Sequence, residues 1–127
     1  MRVLFYASKN DDTVNHLRKM IESILKERKL DNNLKTYQAI ESLSRTLQIP
    51  EDEPAIAVLI AHYRHELFKI CSIRYLLRDL RLILILPDEQ DETISIGHLL
   101  RPRFLTYIDS NLEAVVDVLT KMLGGYD

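Results

Sequence analysis

Two short apolar runs, Ala55–Ala61 (AIAVLIA) and Leu82–Leu86 (LILIL), constrain the fold of this chain more than any other feature. A strand with one wet face alternates apolar and polar residues, and these runs do not alternate. A strand apolar on both faces belongs inside a parallel sheet covered by helices on both sides. In such sheets ligands bind beyond the carboxyl ends of the strands. The residues found there are His62-Tyr63-Arg64 after the first run and Pro87-Asp88-Glu89 after the second. Neither triplet is a recognised catalytic signature, so the runs locate a site without naming its chemistry.

The rest of the chain repeats the same unit. Val3–Ala7 reads as a first strand, and Asn10, Asp11 and Asp12 offer capping oxygens to a helix starting near Thr13. Val14, Leu17, Met20, Ile21, Ile24 and Leu25 form its apolar stripe. Leu34–Ala39 alternates and is half polar, as an edge strand should be. A short helix with Ile40, Leu43 and Leu47 inward stops at Pro50, and the acidic loop Glu51-Asp52-Glu53 leads into the first apolar run. A third helix is expected from His65 to Asp79, a fourth from Thr93 to Leu100, and a fifth strand over Phe104–Ile108. Ser110-Asn111-Leu112-Glu113 has the form of a capping box for the last helix, which Gly124-Gly125 should end. Five strand–helix units predict an α/β, flavodoxin-like (βα)5 fold. The expected sheet is parallel and five-stranded, of order 2-1-3-4-5, with helices on both faces.

Size and charge narrow the function classes. The 127 residues suit a single domain, 1–127. A net charge of −2 gives no global attraction to nucleic acid or anionic membrane. The nearest thing to a basic patch, Arg74, Arg78, Arg81, Arg101 and Arg103, is interleaved with Asp79 and lacks clustered aromatics. Cys71 is the single cysteine, which excludes an intrachain disulfide and a cysteine-based metal framework. Its place on an apolar stripe beside Leu67 and Ile70 reads as core rather than as a reactive thiol. The N-terminal MRVLFYAS is too short in its apolar part for a signal-peptide core, and no stretch approaches the roughly 18–20 apolar residues of a membrane span. A cytoplasmic protein is expected.

A phosphate cradle needs glycine or small hydroxyl residues after the first strand, so that backbone N–H groups can approach the anion. Here that loop is Ser8-Lys9-Asn10-Asp11-Asp12, with no glycine and two carboxylates that would repel phosphate. No flavin, nicotinamide or other cofactor is expected.

The succession of five units, over nearly the whole chain, resembles the receiver domain of two-component response regulators. Phe104-Leu105-Thr106-Tyr107-Ile108-Asp109 followed by Leu112-Glu113 is similar to the family's end segment, and Pro54–Ala61 to its third strand. The resemblance implies four chemical positions. They are an acidic pair after the first strand for Mg²⁺, a phosphoacceptor Asp ending the third, a Thr or Ser ending the fourth, and a Lys followed by Pro ending the fifth. This chain has Ala7-Ser8-Lys9, Ile60-Ala61-His62, Leu86-Pro87 and Tyr107-Ile108 there. All depart from the pattern, and neither Ile60 nor Ala61 carries a nucleophile. The resemblance therefore implies a degenerate receiver, a pseudo-receiver that is not phosphorylated on Asp.

Other candidates have plain readings beside the chemical ones. His62 follows the third strand, where a phosphoacceptor would sit, but reads as a surface loop histidine. His62 and His65 lie three apart, and zinc needs three or four ligands, with His16 and His98 remote in sequence. Asp11, Asp12, Asp88, Glu89 and Asp109 all follow strands and are able to hold Mg²⁺ together, or simply to cap helices and line loops. No metal site and no catalytic residue is assigned. The expected function is a non-enzymatic signalling or protein-interaction module. By the resemblance, it would bind a protein partner or a second copy through the fourth helix, fifth strand and fifth helix, at Ile94, Ile96, Leu99, Leu100, Phe104, Tyr107, Val118 and Met122, several of which must also serve the core. The alternative is a small cation-dependent enzyme or ligand-binding domain using the acidic carboxyl edge.

Overall fold

A computed structural model describes residues 1–124. The five strands are β1 (Arg2–Ala7), β2 (Leu34–Tyr37), β3 (Ala55–Ile60), β4 (Arg81–Leu86) and β5 (Phe104–Tyr107). They form one sheet of order β2-β1-β3-β4-β5, and every pairing is parallel. Among the described residues six helices surround it: α1 (Asp12–Glu27), α2 (Ile40–Leu47), α3 (Arg64–Ser72), α4 (Arg74–Leu77), α5 (Asp91–His98) and α6 (Glu113–Leu123). The fold is the flavodoxin-like α/β architecture expected from the apolar runs. None of the helices is long and apolar enough to cross a membrane.

The period-two geometry of a strand divides each central run between two cores. Val3, Phe5, Ile56, Val58, Ile60, Ile83 and Ile85 face one side, where α1 and α6 supply Val14, Leu17, Ile21, Val115 and Leu119. Leu4, Tyr6, Ala57, Leu59, Leu82, Leu84 and Leu86 face the other, against Ile40 and Leu43 of α2, Leu67 and Ile70 of α3, and Leu77 of α4. All six residues of β3 are buried, whereas the two middle residues of β2 are exposed, as befits an edge. Gly97 lets α5 lie close on the sheet: a Cβ there would come within 3.1 Å of Leu86 Cδ2 and 3.2 Å of Leu105 Cδ1.

Two local expectations are corrected. The third helix is not continuous, because it breaks at Ile73 into α3 and α4. The Ser72 hydroxyl bonds back to the Lys69 carbonyl at 2.5 Å, a local competitor to the helical ladder that bends helices. The capping box also does not form. Ser110 Oγ donates to the Tyr107 carbonyl and pairs with Thr106 Oγ1, while Asn111 Oδ1 accepts the Glu113 N–H. Thr106 is buried and takes the hydroxyl that the box would have used. Helix α6 does end at Gly124, but in right-handed rather than left-handed backbone (φ −82°), and Gly125 lies outside the described residues. Smaller differences trim β2 to Tyr37 and β5 to Tyr107, and start α5 at Asp91.

Candidate functional site

In the order 2-1-3-4-5 the chain turns in opposite directions from β1 and β3, so their carboxyl ends flank the place where this fold class takes ligands. Ala7 pairs with Ile60 at that point. The loops that follow are Ser8–Asp11 and Ala61–Tyr63, and the structure stitches them together.

His62 occupies the gap between them. It is not the surface loop histidine expected: its side chain is 6% exposed. Its Nε2 lies 3.2 Å from Asp11 Oδ2, across 51 positions of sequence. Its Nδ1 is buried with no hydrogen-bond partner and lies 3.9 Å from Glu66 Oε1. Glu66 Oε1 instead accepts the backbone N–H of His62 at 2.6 Å. Glu66 is itself buried, in the first turn of α3, so the carboxylate fixes the path of the chain as it leaves β3. Asp11 is shared: Oδ1 accepts the Val14 N–H at 2.9 Å as the N-cap of α1, and Oδ2 faces the imidazole. A second stitch joins the same loops, with the Lys9 ammonium on the Tyr63 hydroxyl and 4.3 Å above its ring centre. Tyr63 in turn stacks on His65 with ring centres 5.3 Å apart.

An imidazole between two carboxylates can serve as a general base only if one nitrogen is open to a substrate. Here Nε2 is directed at Asp11 and Nδ1 is buried toward Glu66. In this arrangement neither ring nitrogen is open to a substrate. Tyr6 lies under the same edge, 3% exposed. Burial above all, with the charges of Glu66 and Glu41, pushes its phenol up to about 12.

The ends of β4 and β5 are occupied as well. After β4, the Asp88 carboxylate accepts from the Thr93 hydroxyl and from the Gln90 N–H, which holds its pKa below the ordinary value. Thr93 is fully buried and accepts from Arg64 Nε at 3.1 Å. Arg64 also reaches Glu92 and Gln90, so one guanidinium clamps the start of α3 to the β4–α5 loop. Tyr107, at the end of β5, packs half-buried against the core on the α2–α5 side.

The strand-end carboxylates offered as an alternative cation site do not converge. Among the described residues no three His, Cys, Asp or Glu side chains converge in a way that could hold a metal ion. Asp12, His16 and Asp109 line one shallow depression between α1 and the β5–α6 loop without converging as ligands. The nearest true cavity, about 320 Å³, lies toward β2 rather than at the β1/β3 junction. It is lined by Asn10, Arg18, Thr36, Gln38 and Ser42 among others, with no carboxylate, and Arg18 is already bound by Asn10, Asn15 and Glu22. Cys71 is partly buried, its thiol on the Ile96 carbonyl at 3.8 Å. Burial pushes its pKa up against the opposing effect of Arg74.

The surface expected to receive a partner is mostly interior. Of its eight residues Leu99 alone is exposed; Leu100 and Met122 are buried, and Ile94, Ile96, Phe104, Tyr107 and Val118 are partly so. Among the described residues the large apolar side chains that do face solvent are Ile49, Tyr63, Phe68, Tyr75 and Leu99. Of these, only Leu99 was placed on a candidate surface by the sequence, because an isolated exposed apolar residue leaves no mark in a hydrophobic pattern.

Compared with known proteins, the chain matches no family model, no curated protein and no solved structure.

Proposed function

We propose that this protein is a non-enzymatic signalling or protein-interaction module of receiver-like type, not phosphorylated on aspartate. One observation carries the reading: the junction between the ends of β1 and β3 is filled by the His62 side chain, held to Asp11 and set over Glu66. A domain working by phosphoryl transfer or on a bound ligand needs an open carboxyl edge with convergent groups. At the β1/β3 junction this edge is filled by its own side chains. The residues at the end of β3 support the same reading, since Ile60 and Ala61 are buried and have no nucleophilic atom. With the edge closed, the protein acts through its outer surface.

The test is exposure to a small-molecule phosphodonor with Mg²⁺, followed by intact-mass analysis and mapping of acid-labile and base-labile phosphate. The expected result is an unmodified chain. Stoichiometric phosphate on any Asp, or on His62, would overturn the reading. Parallel amide spectra with Mg²⁺ should leave Asp11, Asp12, Asp88, Glu89 and Asp109 unshifted at millimolar concentration, whereas a joint shift of these residues would favour the cation-dependent alternative.

A further inference from the structure

At the amino edge of the sheet, opposite the closed one, a groove of about 500 Å³ runs between the end of α4 and the end of α5. Its walls include Tyr75 and Leu99, which are 57% and 59% exposed, although both are large and apolar. Its rim carries Arg74, Arg78 and Arg101 against the single carboxylate of Asp79. None of these arginines forms an ion pair among the described residues. The groove thus offers apolar surface under net positive charge, in a chain whose net charge is −2.

The complementary chemistry is present in the same chain. Ile49, just past the end of α2, is 63% exposed. It is followed by the exposed run Pro50-Glu51-Asp52-Glu53. Glu53 is taken by the N-terminal amine, and Glu51 and Asp52 make no ion pair among the described residues. This segment is an apolar anchor with a carboxylate tail, the shape and sign that the groove lacks. It enters β3, while the groove lies beside the entries to β4 and β5, so both features stand on the same edge at neighbouring strands. A two-fold axis passing between them would lay each copy's acidic loop over the other's groove, giving two identical contacts in a closed pair.

We infer that the protein's partner is a second copy of itself, docked through Ile49–Asp52 into the groove bordered by Arg74, Arg78, Tyr75 and Leu99. The inference rests on the interaction reading above and gives that reading a surface and an occupant. Opposite charges across such a contact fix its register and suppress wrong pairings, so charge exchange reports directly on the geometry.

The experiment is sedimentation velocity on the full chain up to about 0.5 mM, in about 0.05 M and about 0.5 M salt. The expected result is a concentration-dependent dimer that weakens at high salt. Arg74→Glu with Arg78→Glu should weaken self-association at least about tenfold, and so should Glu51→Lys with Asp52→Lys. An equimolar mixture of the two variants should recover the dimer, because each reversed groove then meets a reversed loop. That recovery also shows that both variants are folded. A monomer at every concentration, a dimer indifferent to the exchanges, or a mixture that stays dissociated would overturn this pairing. The phosphodonor experiment reads a different property, so failure here is distinguishable from failure of the interaction reading itself.

Discussion

Glu66 is the side chain whose replacement tests the closed carboxyl edge most directly. It is buried, and its Oε1 receives the His62 N–H at 2.6 Å, a short bond with a charged acceptor. Bonds of that kind contribute about 1.5–3 kcal/mol. Glu66→Ala removes the acceptor and about one buried methylene, a further ~0.8 kcal/mol. Against this stands relief of a buried carboxylate, which no longer has to be kept from water. The balance is a loss of about 2 kcal/mol. Glu66→Gln keeps an oxygen in place and gives up only the charge, so its loss should be no more than about 1 kcal/mol. Urea denaturation near neutral pH, followed by circular dichroism, separates the two. Alanine should lower the midpoint clearly at unchanged slope, with glutamine falling between alanine and wild type. If the two variants are equally destabilised, or if alanine is neutral, the carboxylate is not what fixes the chain leaving β3, and the argument for a closed edge loses its main support.

The remaining expectations concern other points of the same framework. Tyr6 has its pKa raised to about 12 from an ordinary 10.0, so burial of its neutral form contributes stability that is full below pH 10.0 and is lost as pH rises toward 12. Tyr6→Phe should flatten unfolding midpoints across that alkaline window, and an unchanged profile would contradict it. Asp88 has a lowered pKa, so its contribution is present above the ordinary carboxylate range and is lost as pH falls through the depressed value. Thr93→Val removes the hydroxyl responsible for the largest part of that lowering, and the Asp88 carboxyl shift in an NMR titration should move upward. Gly97→Val forces a branched side chain against Leu86 and Leu105, and thermal unfolding should show a loss of about 1–3 kcal/mol, the usual cost of overpacking.

How much of this could be read in the sequence depended on whether a feature was local or a meeting of distant parts. The central strands β1, β3 and β4 were legible because burial on both faces leaves a run without alternation, and the edge strand β2 because it alternates. Helix α1 was legible to within a residue of its start, with its cap, Asp11, one of three candidates. The break at Ile73 was not, since the apolar stripe from Leu67 through Leu77 continues across it and only the Ser72 hydroxyl interrupts the ladder. The capping box at Ser110 failed for a similar reason: a neighbour four residues back, Thr106, claimed the hydroxyl. His62 was placed correctly beyond β3, yet its burial was invisible. A loop residue belongs to no periodic pattern, and its partner Asp11 lies 51 positions away.

The divided allegiance of Asp11 has a mechanical consequence. One of its oxygens accepts the Val14 amide in the first turn of α1 and the other faces the imidazole beyond β3. Fraying of the helix start withdraws the carboxylate from His62, and displacement of His62 frees it from its second contact. Two segments that would otherwise open independently are therefore joined in one cooperative unit, spanning both faces of the sheet. Motion admitted at the start of α1 on one side is motion felt at the entry to α3 on the other.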